Sequence, residues 1–249
     1  MTSTSPVFSV IIPTLNEVQN LPKLLKDLVN QTHSDFEVIV VDGKSVDKTL
    51  NKAKTFLSLL HLKLLTSNIR NAGYQRNLGA KTATGKFLIF LDADSRIPKY
   101  YLQEIDLTQA KIGKNFTLGA TWIKSDSKSD LEKIIAQVYN QLLILNRDIA
   151  PAAIASSLII KRNLFKKAGG FNPRLTFAED RDLIKKLWKS GHKLHILKSP
   201  LATWSFRRFR KEGYSKALGK LLYLNIYAML KGAPQPDKIN YPMGGQCHR

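Results

Sequence analysis

Short apolar runs alternate with amphipathic stretches through the first ninety-five residues. FSVIIP at 8–13 is a β-branched run, and QNLPKLLKDLVNQ at 19–31 follows with Leu21, Leu24, Leu25 and Leu28 at helical spacing. FEVIVVD at 36–42 is an apolar run, broken only by Glu37, that ends in an acid, and VDKTLNKAKTFLSLL at 46–60 has the pattern of a second amphipathic helix. HLKLLTS at 61–67 and GYQRNLGAKTATG at 73–85 repeat the pair before KFLIFLDADS at 86–95 closes it. This order predicts an α/β fold with a mostly parallel central sheet flanked by helices on both faces. In such sheets ligands bind outside the carboxyl ends of the strands, where residues 13–17, Asp42 and residues 92–95 all fall.

The second half is less regular. TLGATWIKS at 117–125 reads as a strand, SDLEKIIAQVYNQLLIL at 129–145 as a long helix, and AIASSLIIKRNLFKKAGGF at 153–171 as a strand running into a short helix that stops at Gly169 and Gly170. RDLIKKLWKSG at 181–191 reads as a helix, HKLHILKSP at 192–200 as a strand, and LLYLNIYAML at 221–230 as an amphipathic helix. The expected division is one domain over residues 1–205 and a basic, amphipathic C-terminal extension over 206–249.

Composition adds one unusual fact. There are 39 Lys plus Arg against 19 Asp plus Glu, a formal charge of +20, so an anionic partner is expected. Between Leu183 and Lys231 twelve Lys or Arg stand against one acid, Glu212, whereas Asp42, Asp92, Asp94, Glu179, Asp180 and Asp182 precede that stretch or open it. The 43% apolar content supports a real core. A single cysteine, Cys247, excludes an intramolecular disulfide and fits a reducing compartment. With neither a secretory pattern nor an apolar run of about 18 residues, the expected location is cytoplasmic, with peripheral contact to the inner face of the membrane.

Asp92 and Asp94 lie two apart, on one face if the strand continues. Their oxygens suit a hard divalent cation, which commonly takes one or two protein carboxylates and completes its shell with substrate phosphates. D-x-D-S equally suits a turn or helix cap, and the residues alone leave both readings open. FAEDRDL at 177–183 places three acids where a helix begins, which the helix dipole favours without any chemistry.

Four stretches taken together change the balance. PTLNE at 13–17, VVDGKSVDKT at 40–49, AGYQRNLGAKTATGKFLIFLDADS at 72–95 and GGFNPRLTFAEDRDLIKKLWKSGH at 169–192 resemble, in order and spacing, the family 2 glycosyltransferases of the GT-A, Rossmann-like fold. The resemblance covers about residues 7–205. It implies a nucleotide-sugar donor whose base and ribose are held by Pro13, Thr14, Asn16, Glu17 and Asp42, with Arg76 in the nucleotide pocket. Asp94 is implied as the direct ligand of Mn²⁺ or Mg²⁺, and Asp92 as facing the ribose or a metal-bound water. Asp180 is implied as the general base of an inverting transfer, with Glu179 and Asp182 shaping its position or contacting the acceptor. Ser156 and Ser157 are candidates for acceptor contact by position alone.

Two departures stand out. The family's usual pair of acids before the glycine is here Asp42 alone, followed by Gly43 and Lys44, and the residue where many relatives place a metal-contacting His is Trp204. Arg207 and Arg208 follow Trp204, and their guanidinium groups are expected to clamp the diphosphate; the plainer reading is a solvated basic face. Aromatic residues interleaved with bases from Phe206 to Tyr227 suit an anionic membrane surface and a sugar or lipid-linked acceptor. RNA is set aside because no RNA-binding motif accompanies the basic run. Competing functions are a non-catalytic nucleotide- or membrane-binding relative and a polyprenyl-phosphate glycosyltransferase.

Overall fold

Seven apolar runs become the strands of one sheet in the computed structural model, which describes residues 5–175, 177–220 and 223. They are β1 (Phe8–Thr14), β2 (Phe36–Asp42), β3 (Leu62–Thr66), β4 (Phe87–Phe90), β5 (Leu118–Ser125), β6 (Leu158–Lys161) and β7 (Leu194–Trp204), in the order β3-β2-β1-β4-β6-β5-β7. The pairs β1–β2, β2–β3, β1–β4 and β5–β7 are parallel, and β6 runs antiparallel to both β4 and β5. The helices are α1 (Leu21–Val29), α2 (Thr49–Lys54), α3 (Ala72–Thr82), α4 (Tyr101–Ile112), α5 (Asp130–Asn146), α6 (Arg162–Lys167), α7 (Glu179–Lys189) and α8 (Arg207–Glu212).

The central strands are apolar apart from Ser9, Thr14, Glu37 and Asp42 near their ends, because helices cover both faces. Val10, Ile12, Val38 and Val40 belong to one core with Leu21, Leu24, Leu25 and Leu28 of α1 and Tyr101, Leu102 and Ile105 of α4. Their alternate neighbours Ile11, Ile39 and Val41 belong to a second core with Ala80 of α3, Phe171, and Leu183, Ile184 and Leu187 of α7. Gly79 lets α3 approach the sheet: a Cβ there would stand 2.6 Å from Ile11 Cγ2.

Two expectations need correction. The helix expected over 46–60 is only α2, six residues long, after which Thr55, Phe56 and Leu57 donate to carbonyls three residues back. Those tighter turns bring Phe56 and Leu60 against the core while Leu57 and Leu59 stay exposed. The last strand runs past Pro200 to Trp204. Apart from Tyr223, which is helical, LLYLNIYAML lies outside the described residues. No helix among the described residues is long and apolar enough to cross a membrane.

β1 lies between β2 and β4, so the chain leaves the carboxyl ends of these strands in different directions and opens a crevice there. A short bridge brings the far end of β7 to that edge: the Arg96 amide donates to the Thr203 carbonyl at 3.1 Å and the Thr203 amide to the Arg96 carbonyl at 2.7 Å. Arg96 is itself anchored to both oxygens of Asp27 at 2.6 Å.

Candidate functional site

Thr14 ends β1, Asp42 ends β2, and Asp92 follows β4 after Leu91, which puts all three at one edge. Gln75 of α3 ties the first two strand ends together, its side-chain amide donating to the carbonyls of Thr14 at 3.0 Å and Val41 at 2.7 Å. Nothing in the sequence pattern singled out Gln75; its signal is a polar residue on the buried side of a helix. Asn16 takes a left-handed backbone, donating through its amide to Ser45 Oγ and accepting at its side chain from the Val46 amide. Asp42 is buried and accepts from the amide and hydroxyl of Ser45 at 2.8 and 2.5 Å. The turn role weighed for Asp42 is therefore present, and each oxygen retains room for one further donor. Pro13 is buried in register with Val41.

Arg76, almost fully buried on α3, joins the two halves of the site. It donates to Asp92 Oδ1 at 2.8 Å and to Glu179 Oε1 at 2.9 Å, and its guanidinium lies 5.6 Å from the centre of the Phe171 ring. Burial works against its charge, and Asp92 and Glu179 more than restore it. An arginine held between two carboxylates is costly to remove, because either acid would then be left partly buried without a partner.

Glu179 and Asp180 open α7 after Ala178, whose backbone is left-handed. The Asp180 carboxylate accepts from the Ala155 amide at 3.0 Å and the Arg181 amide at 2.7 Å. Burial, followed by repulsion from Glu179, pushes its pKa up to about 7 against the pull of these amides and of Arg76. Asp182 instead faces Lys186 one turn along the same helix, at 2.7 Å. Ser156 and Ser157 are buried in the single turn between Ala155 and β6, with the Ser157 hydroxyl donating to the Ile154 carbonyl.

Arg207 reaches the acids from the other side. Its guanidinium donates to both Glu17 oxygens, at 2.7 and 3.2 Å, and to Asp94 Oδ2 at 3.2 Å. Burial and then the charges of Asp92 and Glu17 push Asp94 up to about 7, with Arg207 opposing them. Arg208, the next residue, is half-buried. Trp204, at the position the family resemblance gives to a metal-contacting His, packs on Phe206 and Phe209 with ring centres 5.0 and 5.9 Å away. His192 and His195 have ordinary neighbours, the Thr117 hydroxyl and the Asn115 carbonyl.

Several buried polar atoms at this edge have no protein partner: Thr14 Oγ1, Gln75 Oε1, Arg76 Nε and Ser95 Oγ. Buried polar atoms are ordinarily satisfied, so a group of orphans beside one crevice marks where a polar ligand would sit. The donor set of Asp92 and Asp94 is all oxygen, and the pKa of Asp94 is pushed up by burial first and then by the negative charges of Asp92 and Glu17, beyond what Arg207 offsets. Both features fit a hard divalent cation that takes its remaining ligands from phosphate and water. Among the described residues no three His, Cys, Asp or Glu side chains form a cage for an ion by themselves.

The model of glycosyl transferase family 2 matches residues 9–167, from β1 to the end of α6. The chain belongs to glycosyl transferase family 2. Within that family it is 31% identical over 189 residues to a PGL/p-HBAD biosynthesis glycosyltransferase of Mycobacterium tuberculosis, a match covering 72% of this chain and 68% of the relative. Among solved structures it is similar to Staphylococcus aureus TarS 1–349 in complex with UDP-GlcNAc, with a TM-score of 0.67 and 24% identity over 80% of this chain and 58% of that one. It is also similar to the mannosyltransferase PcManGT from Pyrobaculum calidifontis in complex with GDP-Man and Mn²⁺, with a TM-score of 0.66 and 20% identity over 89% of this chain and 65% of that one. The chain thus spans less than two thirds of each solved relative, and these likenesses establish the GT-A-like fold. For a family 2 chain the match also has an informative limit: Asp180 and Arg207 lie beyond residue 167.

Proposed function

We propose that this family 2 chain transfers a sugar from a nucleoside-diphosphate sugar to an acceptor hydroxyl with inversion at the anomeric carbon, in the synthesis of cell-envelope glycans or glycolipids. The observation that carries the reading is Arg76, which connects Asp92 on the donor side to Glu179, the neighbour of the buried Asp180. The nucleotide-sugar complexes of the solved neighbours support the donor class, and the PGL/p-HBAD biosynthesis name of the mycobacterial relative supports a biosynthetic setting.

In this reading the crevice at the ends of β1, β2 and β4 takes the nucleotide. Asp42 receives a base or ribose donor with the lone pairs Ser45 leaves, and the residues from Pro13 to Glu17 line the nucleoside with backbone and side-chain groups. Asp94, with Asp92 beside it, would hold Mn²⁺ or Mg²⁺, which when bound offsets charge on the diphosphate as a Lewis acid. Arg207 supplies a guanidinium to the diphosphate from the position it now takes beside Glu17 and Asp94, with Arg208 next to it.

Asp180 accepts the proton of the acceptor hydroxyl as that oxygen bonds to the anomeric carbon. The bond from that carbon to the nucleoside diphosphate breaks in the same displacement, and a single displacement inverts the centre. A carboxylate with a pKa near 7 is a stronger base than an ordinary one and is about half ionised at neutral pH. The amides of Ala155 and Arg181 fix its orientation, and Arg76 is a positioning residue acting through Glu179.

Asp180→Asn tests the assignment. Transfer should fall by about 10²- to 10⁴-fold while donor binding persists, and the wild-type product should have the anomeric configuration opposite to the donor's. Unchanged transfer in Asp180→Asn, or a product of retained configuration, would remove Asp180 from this role. Donor binding with no transfer in the wild type would favour the non-catalytic relative.

A further inference from the structure

The outer face of α5 is apolar along its whole length. Leu131, Ile134, Val138, Leu142 and Leu145 on the helix, and Ile149 just beyond it, follow at spacings of three or four residues, and each is between 47% and 75% exposed. They form one stripe, about 27 Å long at the rise of a helix, with Gln137 and Gln141 along a shallow trough. Among the described residues nothing covers this stripe: the opposite face supplies Ala136, Asn140 and Leu143 to the core, and Asn140 exchanges hydrogen bonds with both backbone groups of Ile123. A continuous exposed apolar face of this extent marks an interaction surface.

The surroundings identify the partner's charge. Residues 207–220 lie beside the first half of α5: Arg210 bridges Asp126 and Glu132, the Tyr214 hydroxyl donates to Glu132 at 2.7 Å, and Ala217 packs with Ala136. This neighbouring segment exposes Lys211, Lys216 and Leu218, and the chain leading into α5 exposes Lys124 and Lys128. The exposed acids at the two ends of the stripe, Asp130 and Asp148, are paired with Lys133 and Arg147, so the neighbouring lysines leave a positive excess that, on a molecule of formal charge +20, complements an anionic lipid surface. A second copy fits less well. Two such chains repel each other, and a stripe one helix wide offers less contact than the roughly 1,200–2,000 Å² typical of stable protein pairs.

We infer that α5 docks the protein on an anionic bilayer, with the apolar stripe lying in the interface and not across it. The docking face then lies close to the acceptor side of the proposed site. The Ile154 amide donates to the Tyr139 hydroxyl of α5 at 2.9 Å, and the amide of Ala155, the next residue, holds Asp180. The inference stands on the surface itself and does not depend on the transfer chemistry.

Vesicle co-sedimentation of the full chain tests it, comparing pure phosphatidylcholine with vesicles containing about 30 mol% phosphatidylglycerol. The parent chain should bind the anionic vesicles and not the neutral ones. Val138→Gln with Leu142→Gln, and separately Leu145→Gln with Ile149→Gln, should each lower binding at least about tenfold while donor binding and melting temperature stay unchanged. Leu107→Gln, an exposed apolar residue on α4, should bind like the parent. Parental binding by both stripe variants, absence of binding by the parent, or a dimer in sedimentation equilibrium that the stripe variants dissociate would each overturn the inference.

Discussion

Asp180 and Asp94 are both carboxylates pushed up to about 7, beside different neighbours. Burial comes first for both; Asp180 is raised further by its own neighbour Glu179, and Asp94 by Asp92 of the same loop and by Glu17 of the loop after β1. For a base the consequence has a definite sign, since only the ionised form accepts a proton. Transfer at saturating donor should rise about tenfold per pH unit below 7 and level off above it. Glu179→Gln removes the neighbouring charge, so the midpoint of the pH–rate profile should move to lower pH. A midpoint that stays in place or rises would show that Glu179 does not set the acidity of Asp180. The motif at 177–183 showed the sequence reader three acids at a helix start, and the structure gives them three fates: an ion pair to Arg76, a buried carboxylate on two amides, and an ordinary pairing with Lys186. Only the last follows from spacing, an i,i+4 pair on one helix; what separates Glu179 from Asp180 is contributed by α3 and by the turn at 155–157.

Among the elements, the sheet is locked at the end away from the crevice by a residue of no catalytic interest. Glu37 of β2 is fully buried and accepts from the Ser9 hydroxyl of β1, Lys63 of β3, and the amide and hydroxyl of Thr84 before β4. Burial alone would raise its pKa, but Lys63 and Thr84 outweigh it and hold the carboxyl down to about 2. A carboxylate depressed in this way stabilises the fold above its unfolded value near 4.5, and that contribution disappears as pH falls toward 2. Glu37→Gln should therefore cost about 1.5–3 kcal/mol in urea unfolding at pH 7, with the difference from wild type shrinking below pH 4.5. A difference that stays constant with pH would mean that the charge is not what matters. The strands and most helices were legible because burial on both faces imposes continuous apolar runs, and amphipathic helices repeat their leucines. The length of α2 was not, since Leu57 and Leu59 keep the helical rhythm while only Phe56 and Leu60 find core to pack on.

For the whole molecule, the candidate site is assembled from distant parts of the chain. Gln75, Arg76 and Arg207 are the joints, and the last of these spans 190 residues to reach Glu17. The sequence displayed the acids as motifs and the arginines as a basic run, but the pairing between them depends on the bridge from Arg96 to Thr203, which a one-dimensional pattern does not contain. Ligand linkage reads such an assembly directly. A nucleoside diphosphate present at about a hundred times its dissociation constant, with Mn²⁺, should add about 2.7 kcal/mol to stability and raise the melting temperature, and Asp94→Ala should abolish the metal-dependent part. A shift that is equal with and without metal, in both proteins, would detach Asp94 from ion binding.

The contact between Arg207 and Asp94 also has a consequence in time. The two residues lie 113 positions apart, and a ribosome adding about 5–20 residues per second needs on the order of ten seconds to pass from one to the other. Throughout that interval the nascent chain carries its acidic crevice without the guanidinium that later sits in it. Donor binding that relies on Arg207 is therefore withheld from the growing polypeptide and becomes available only once β7 has been made and has brought α8 back to the first strand.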